Sequence, residues 1–119
     1  MEDKTGEEVK LGGNIALVGF EILEPAELTI IKKIVGTYVK KLCENGDYKE
    51  MRLTLQQHAK GKSFKHEISG LAFVGANRFS AESTEWNVYK AASEVCEKIL
   101  SAVVNSVQKE QRHDKVTFK

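Results

Sequence analysis

The sequence predicts an α+β domain built as a two-layer sandwich, in which two helices cover one face of a mostly antiparallel four-stranded sheet. Two patterns lead to this fold class. Two long segments repeat apolar residues every three or four positions, as in helices buried along one stripe. Several shorter segments alternate apolar and polar residues, as in strands with one buried face. Because the segments follow the order strand, helix, strand, strand, strand, helix, we expect a β-α-β-β-β-α domain.

The length of 119 residues fits one hydrophobic core. We expect a flexible arm over residues 1–13, one domain over residues 14–108 and a flexible tail over residues 109–119, because both end segments are polar. The start, Met1-Glu2-Asp3-Lys4, lacks the basic and apolar stretches of a secretory signal, and no apolar run is long enough to span a bilayer. We therefore expect a cytoplasmic protein without a membrane partner.

The first strand and the first helix are predicted between residues 14 and 45. Asn14–Phe20 is rich in β-branched and apolar residues, which favour a strand. Pro25 suits the first position of a helix, where its missing N–H would have no partner. We expect Asn45-Gly46 to end the helix in the left-handed conformation. The apolar stripe of this helix consists of Leu28, Ile31, Val35, Tyr38, Val39 and Leu42.

Three further strands are predicted, and short turns join them as antiparallel hairpins. The first covers residues 51–56, the second covers residues 64–69, and the third leads out through Phe79 and Ala81. Turns are predicted at residues 59–62 and 75–77, where glycine and polar residues cluster.

The second helix is predicted to have Ser83 or Thr84 as its N-cap, with Glu85 near the positive end of its dipole. Its apolar stripe fades near Gln108. Trp86 and Tyr89 at its start have two interpretations, since such residues anchor a helix to its sheet or stack on nucleic-acid bases. The stripe consists of Val88, Tyr89, Ala92, Val95, Cys96, Ile99, Val103 and Val107.

Metal-binding and catalytic patterns are missing from the sequence. Cys43 and Cys96 lie in apolar helical patterns, so we expect two reduced core cysteines, with a disulfide as the alternative. No Cys/His group has the spacing of a zinc site, and no nucleophile, dinucleotide or phosphate-loop motif is present. His66 alternates with apolar neighbours and is expected to be half-buried. We expect no catalytic residue, metal, cofactor or small-molecule substrate.

Lysines are concentrated in two segments, although the formal net charge is only +1. Residues 28–43 contain four lysines and no acid, and residues 58–66 contain three lysines, two histidines and no acid. Nucleic-acid phosphates favour clustered cations, because each contact releases condensed counterions. A lysine-rich helix face is also typical of an ordinary solvated surface, so charge alone leaves both interpretations open.

Three segments resemble the ribosome hibernation promoting factor family, also called the protein Y or ribosome-associated inhibitor family. Residues 14–20 and the helix after them are similar to the family's opening strand and first helix, and residues 62–68 resemble its central strand. Residues 75–92 are the best match, since a glycine turn leads to a strand ending in Ala81-Glu82, an acidic helix start and a tyrosine followed by small residues.

The resemblance implies a stress-response protein that binds small-subunit ribosomal RNA near the decoding region and represses translation or stabilises idle ribosomes. Its lysines would follow phosphates and recognise the shape of the RNA. The matching positions are Lys33, Lys40 and Lys41 on the first helix, Lys60, Lys62 and Lys65 near the hairpin, and Lys90 on the second helix.

Two other functions remain open at this point. The last three strands and the second helix resemble a double-stranded-RNA binding module in outline, although Thr84-Glu85-Trp86 stands where that module has a basic cluster. A protein-interaction or self-association domain without RNA binding, including a weak homodimer, is the other alternative. An open sheet face and the apolar residues Val104 and Val107 can pair with another chain.

Overall fold

The computed structural model describes residues 8–11 and 14–117, and the side chains of residues 14–107. The two helices are α1 (Pro25–Asn45) and α2 (Val88–Thr117), and a short 3-10 turn covers Phe20–Ile22. The strands are β1 (Glu8–Leu11), β2 (Ile15–Val18), β3 (Tyr48–Lys60), β4 (Ser63–Val74) and β5 (Asn77–Glu85). The predicted β-α-β-β-β-α order is confirmed from β2 onwards, and β1 precedes it.

The strands form one sheet in the order β1-β2-β3-β4-β5. β2 and β3 are parallel, because α1 crosses over the sheet between them, and the other neighbouring pairs are antiparallel. β3 and β4 form a long hairpin that pairs from Tyr48 with Val74 to Lys60 with Ser63. The prediction of a mostly antiparallel sheet is therefore confirmed.

Both helices pack on one face of the sheet, as predicted, and the core lies between the two layers. Residues of β3 and β4 alternate between this core and an open face that carries polar side chains such as Thr54, Ser69 and Glu67. Burying one large apolar side chain contributes roughly 1.5–3 kcal/mol, so the layer contact dominates stability. The largest fully buried side chains include Leu17, Phe20, Ile31, Leu42, Met51, Leu53, Ile68 and Ile99.

Regular secondary structure extends into both end segments that are predicted to be flexible. Residues 8–11, predicted as part of a flexible arm, form the edge strand β1, because apolar residues alternate with polar ones there and the chain turns back to pair with β2. Helix α2 continues to Thr117 through the segment predicted as a flexible tail. Lysine, glutamate, glutamine and arginine favour a helix even without an apolar stripe. The remaining residues of the arm and tail lie outside the described residues.

Helix α2 begins later than predicted, because the alternation of Phe79, Ala81 and Ser83 extends β5 as far as Glu85. Asn87 caps the helix, since its side-chain oxygen accepts the Lys90 N–H at 3.0 Å. The prediction that Ser83 or Thr84 caps the helix is therefore wrong, and so is the placement of Glu85 in its first turn.

Ser83 instead connects β5 to α2 through a hydrogen bond made from a buried position. It is buried, and its hydroxyl donates a hydrogen bond to the Glu94 carboxylate. This hydrogen bond is the main cause of a lowered pKa at Glu94. On the same side of α2, the Lys98 ammonium donates to the Glu82 carbonyl at 2.8 Å.

Helix α1 ends at Asn45 as predicted, but Gly46 is extended (φ −176°) and not left-handed. A Cβ atom at Gly46 would lie 2.7 Å from Cγ1 of Val74, which is closer than carbon atoms approach without a shift. Packing against Val74 therefore favours glycine at this position, whereas the extended backbone there is open to other residues.

The two cysteines are free, and they lie in different environments. Cys96 is buried in α2 as predicted, and burial raises the pKa of its thiol to about 12. Cys43 is exposed on α1, so its prediction as a core residue is wrong. It lies next to Leu42 but just outside the buried stripe. In the part of the chain that the structure describes, neither helix combines the length and apolarity needed to cross a membrane.

We expect iodoacetamide to modify Cys43 and to spare Cys96 in the native protein at about pH 8, because only the Cys43 thiol is exposed to solvent. Mass spectrometry should show one added group in buffer and two in urea. The Cys43→Ser variant should take up none in buffer. Modification of Cys96 at a rate similar to that of Cys43 would contradict the buried position of its thiol.

Candidate nucleic-acid interface

The outer face of α1 carries two of the predicted RNA-binding lysines. Lys33 and Lys40 are exposed on the side opposite the buried Val35 and Val39. They are seven residues apart, so they lie about two turns and 10 Å apart along the helix axis. Neither lysine forms a salt bridge with a carboxylate of residues 14–107. We call this face, formed by Lys33 and Lys40, the α1 surface.

Lys41 lies beside the α1 surface, at the rim of a groove between the two helices. Its ammonium is 5.2 Å from the centre of the Tyr38 ring. Burial, and then the nearby carboxylate of Glu97, raise the pKa of Tyr38. The groove has a volume of about 550 Å³ and contains Glu94, Glu97 and Lys98. Its mixed charge makes it less favourable to phosphate than the α1 surface.

Lys90 has an acidic neighbour at the start of α2. Its ammonium lies 3.8 Å from a carboxylate oxygen of Glu85, the last residue of β5. Exposed ion pairs of this kind contribute little energy, but the nearby negative charge reduces the attraction of Lys90 for a phosphate. Of the predicted lysines, Lys90 is therefore less suited to hold RNA.

The other three predicted lysines lie at the free end of the β3–β4 hairpin. Lys60 ends β3, Lys62 lies in the turn beside Gly61, and Lys65 is in β4. Pairing with β2 stops at Thr54, and pairing with β5 stops at His66. Within the described residues, the hairpin therefore extends beyond its neighbouring strands. We call residues 57–65 together with Trp86 the hairpin end.

Two aromatic side chains are unusually exposed at or beside the hairpin end. Trp86 and Phe64 are each 52% exposed. The Lys65 ammonium lies 5.2 Å from the centre of the Trp86 ring. Tyr89, by contrast, packs against the core and anchors α2. Of the two interpretations given to these aromatics, anchoring holds for Tyr89 and is wrong for Trp86.

The histidines of the hairpin have structural partners. His66 is half-buried as predicted, and its Nδ1 lies 2.8 Å from the Trp86 carbonyl oxygen, which fixes the backbone there. His58 Nε2 lies 2.6 Å from a carboxylate oxygen of Glu67. Among the described residues, no group of three His, Cys, Asp or Glu side chains is placed to hold a metal ion.

The fold separates the α1 surface from the hairpin end, and Lys41 and Lys90 lie outside both. Helix α1 starts at the end of β2, on the side of the sheet where the hairpin end lies, and then runs back across the sheet. Lys40 is fifteen residues beyond Pro25, or about 22 Å along the helix axis. The sequence pattern does not reveal this separation, because it depends on which strands α1 connects.

Comparison with solved structures finds a similar fold. The N-terminal domain of protein Y from Thermus thermophilus matches with a TM-score of 0.53 and 15% sequence identity, over 82% of this chain and 98% of that domain. No family model and no curated protein matches the sequence. At this identity the match concerns the fold, and it confirms for the fold the resemblance noted in the sequence.

Proposed function

We propose that this chain is a ribosome-associated RNA-binding protein of the cytoplasm. It would bind small-subunit ribosomal RNA near the decoding region through the α1 surface, and so repress translation or stabilise idle ribosomes. The fold shared with the protein Y domain and the resemblance of residues 75–92 support the ribosome as partner. The observation that carries the proposal is the pair of exposed lysines, Lys33 and Lys40, without salt bridges to the described carboxylates.

The α1 surface is suited to the phosphate backbone more than to bases. Two ammonium groups on one rigid helix face present charge at a fixed spacing, and between them lie the small residues Gly36 and Thr37. A backbone can approach such a face closely. Contacts between lysine ammonium groups and phosphates do not depend on the base sequence, so recognition would rest on the shape of the folded RNA. No step in this function requires a catalytic group or a cofactor.

We expect the Lys40→Glu variant to bind small ribosomal subunits about tenfold more weakly than the wild type, with a salt slope reduced by about one. The reversed charge both removes a phosphate contact and repels the backbone. Cosedimentation at low and at moderate salt measures the effect. Lys49→Glu is the matched control, because Lys49 is also exposed but already lies 3.2 Å from Asp47. It should pellet nearly as the wild type does.

Three outcomes would count against the proposal. Wild-type protein that stays in the supernatant at low salt would exclude ribosome binding, and equal losses in the two variants would exclude the α1 surface as its site. Tight binding to a plain RNA duplex without ribosome binding would instead favour a double-stranded-RNA binding module. A stable dimer in light scattering without RNA affinity would favour self-association.

A further inference from the structure

We propose that the hairpin end is a second RNA site, which binds unpaired nucleotides by stacking a base on Trp86 and holding adjacent phosphates at its lysines. This inference goes beyond the α1 surface, which lies on another part of the molecule. Either site can therefore fail while the other stands. Three observations meet here: an exposed indole, an ammonium against its ring, and a segment without acids.

The indole ring of Trp86 lies on the surface of the molecule and is not part of the core. Glu85, the residue before it, pairs with His66 at the last rung of the β4–β5 ladder. Side chains alternate along β4, so Lys65 points to the open face of the sheet when Ile68 points to the core. Trp86 lies on that open face, since the Lys65 ammonium contacts its ring. About half of its side chain remains in solvent.

Charge at the hairpin end is positive. Residues 51–66 contain no Asp or Glu, and Lys60 and Lys62 are exposed next to Lys65. Two acids border the hairpin end, and each has a partner: Glu67 lies 2.6 Å from His58, and Glu85 lies near Lys90. Residues 57–65 therefore present three ammonium groups to an incoming phosphate and contribute no carboxylate. Such a site attracts polyanions and weakens with added salt.

The exposed indole favours unpaired nucleotides over other polyanions. A base in a duplex is covered on both faces by its neighbours, whereas an unpaired base offers a free face to an aromatic ring. Such stacking strengthens binding about tenfold or more per base and tolerates any sequence. An acidic peptide would satisfy the lysines, but its carboxylates have no flat surface to place against Trp86. The combination of indole and lysines therefore points to a single-stranded segment or loop of RNA.

Tryptophan fluorescence tests the site directly, because Trp86 is the only tryptophan in the chain. We expect a short single-stranded oligouridylate or oligoadenylate to quench it at low salt. A blunt RNA duplex should quench less at the same phosphate concentration, and polyglutamate should not quench. Absence of quenching by the single strands, or equal quenching by polyglutamate, would overturn the proposal.

Variants separate stacking from charge in a second measurement, the anisotropy of a dye-labelled oligouridylate. Trp86→Ala should weaken binding about tenfold or more, whereas Trp86→Phe should keep much of the affinity. Lys65→Gln should weaken binding and flatten the salt dependence, and Lys49→Gln, at an exposed lysine outside both proposed sites, should change neither. Circular dichroism of each variant confirms that it is folded.

The experiments can overturn one of the two RNA sites while they leave the other in place. Native protein that pellets with small ribosomal subunits but shows no quenching by single strands would overturn the hairpin site and leave the α1 surface in place. Quenching that persists in Lys40→Glu protein, when pelleting is lost, would support two independent sites. Equal loss of oligouridylate binding in Lys65→Gln and Lys49→Gln would overturn the site at the hairpin end.

Discussion

The Gly19→Ala variant is expected to lose about 3 kcal/mol of unfolding free energy, a large part of the total stability of a domain of this size. Gly19 joins β2 to the 3-10 turn with a φ of +81°, a conformation that costs other residues roughly 1–2 kcal/mol. A Cβ atom there would also lie 2.5 Å from the Leu55 carbonyl oxygen, which is held in β3. The two effects are expected to add, because Gly19 directly follows β2 and Leu55 lies in the neighbouring strand β3.

Urea denaturation of Gly19→Ala and Gly75→Ala separates these two effects. Gly75 also has a positive φ, of +62°, but a Cβ atom there would meet nothing within 4 Å. We therefore expect Gly75→Ala to lose only about 1 kcal/mol. The difference between the variants measures the contact with Leu55. Equal losses would mean that β2 shifts easily away from β3, and that the contact is of no consequence.

The Gly70→Ala variant is expected to lose about 2 kcal/mol, through overpacking between β4 and α2. A Cβ atom at Gly70 would overlap with the Val95 side chain, and it would lie 2.9 Å from Leu53 Cδ2 and 3.1 Å from Ile99 Cδ1. The Val95 side chain cannot easily rotate away, because a β-branched side chain in a helix has essentially one rotamer. Helix α2 must therefore move outward to make room.

Gly36→Ala is the matched control for Gly70→Ala. Gly36 lies on the exposed side of α1, and a Cβ atom there would meet nothing within 4 Å. Alanine favours a helix over glycine by about 0.5–1 kcal/mol, so this variant should be more stable than the wild type. The same substitution is thus expected to have opposite signs at the two sites. A stabilised Gly70→Ala protein would show that the helix layer is loosely packed.

Periodicity was sufficient to predict the layers of the fold. The stripe of α1 and the alternation in β3 and β4 are long, and each repeats one period without interruption. Burial in the structure follows the pattern at Ile31, Val35, Val39 and Leu42 and at Met51, Leu53 and Leu55, whereas Tyr38 is half-buried and Phe64 is exposed. A sequence with two such stripes and alternating strands has few other ways to bury them.

Boundaries were harder to predict, because different local signals compete there. Ser83 and Thr84 are good cap residues, yet they also fit the alternation of β5, and pairing with β4 decides in favour of the strand. Asn87 then becomes the cap. The edge strand β1 is only four residues long, so its alternation of apolar and polar residues is a weak signal, and its pairing with β2 is a contact between separate segments.

The residues of the candidate site could be predicted from the sequence, but their arrangement in space could not. The lysines were found from charge clustering, whereas their division into the α1 surface and the hairpin end depends on the crossover between β2 and β3. The exposure of Trp86 was equally beyond the sequence pattern. It follows from the late start of α2, which leaves the indole in the connection before the helix, against Lys65.

The long β3–β4 hairpin has a further consequence for self-assembly. Beyond Thr54, β3 has no neighbour on the β2 side among the described residues, so the backbone of residues 56–60 presents the kind of bare edge to which strands of other molecules add. Lys60 and Lys62 stand at the tip of this edge. A second copy adding here in register would bring like charges together, and lysines on exposed edges are a common protection against such addition. The same cations therefore protect the molecule from aggregation, whether or not it meets RNA.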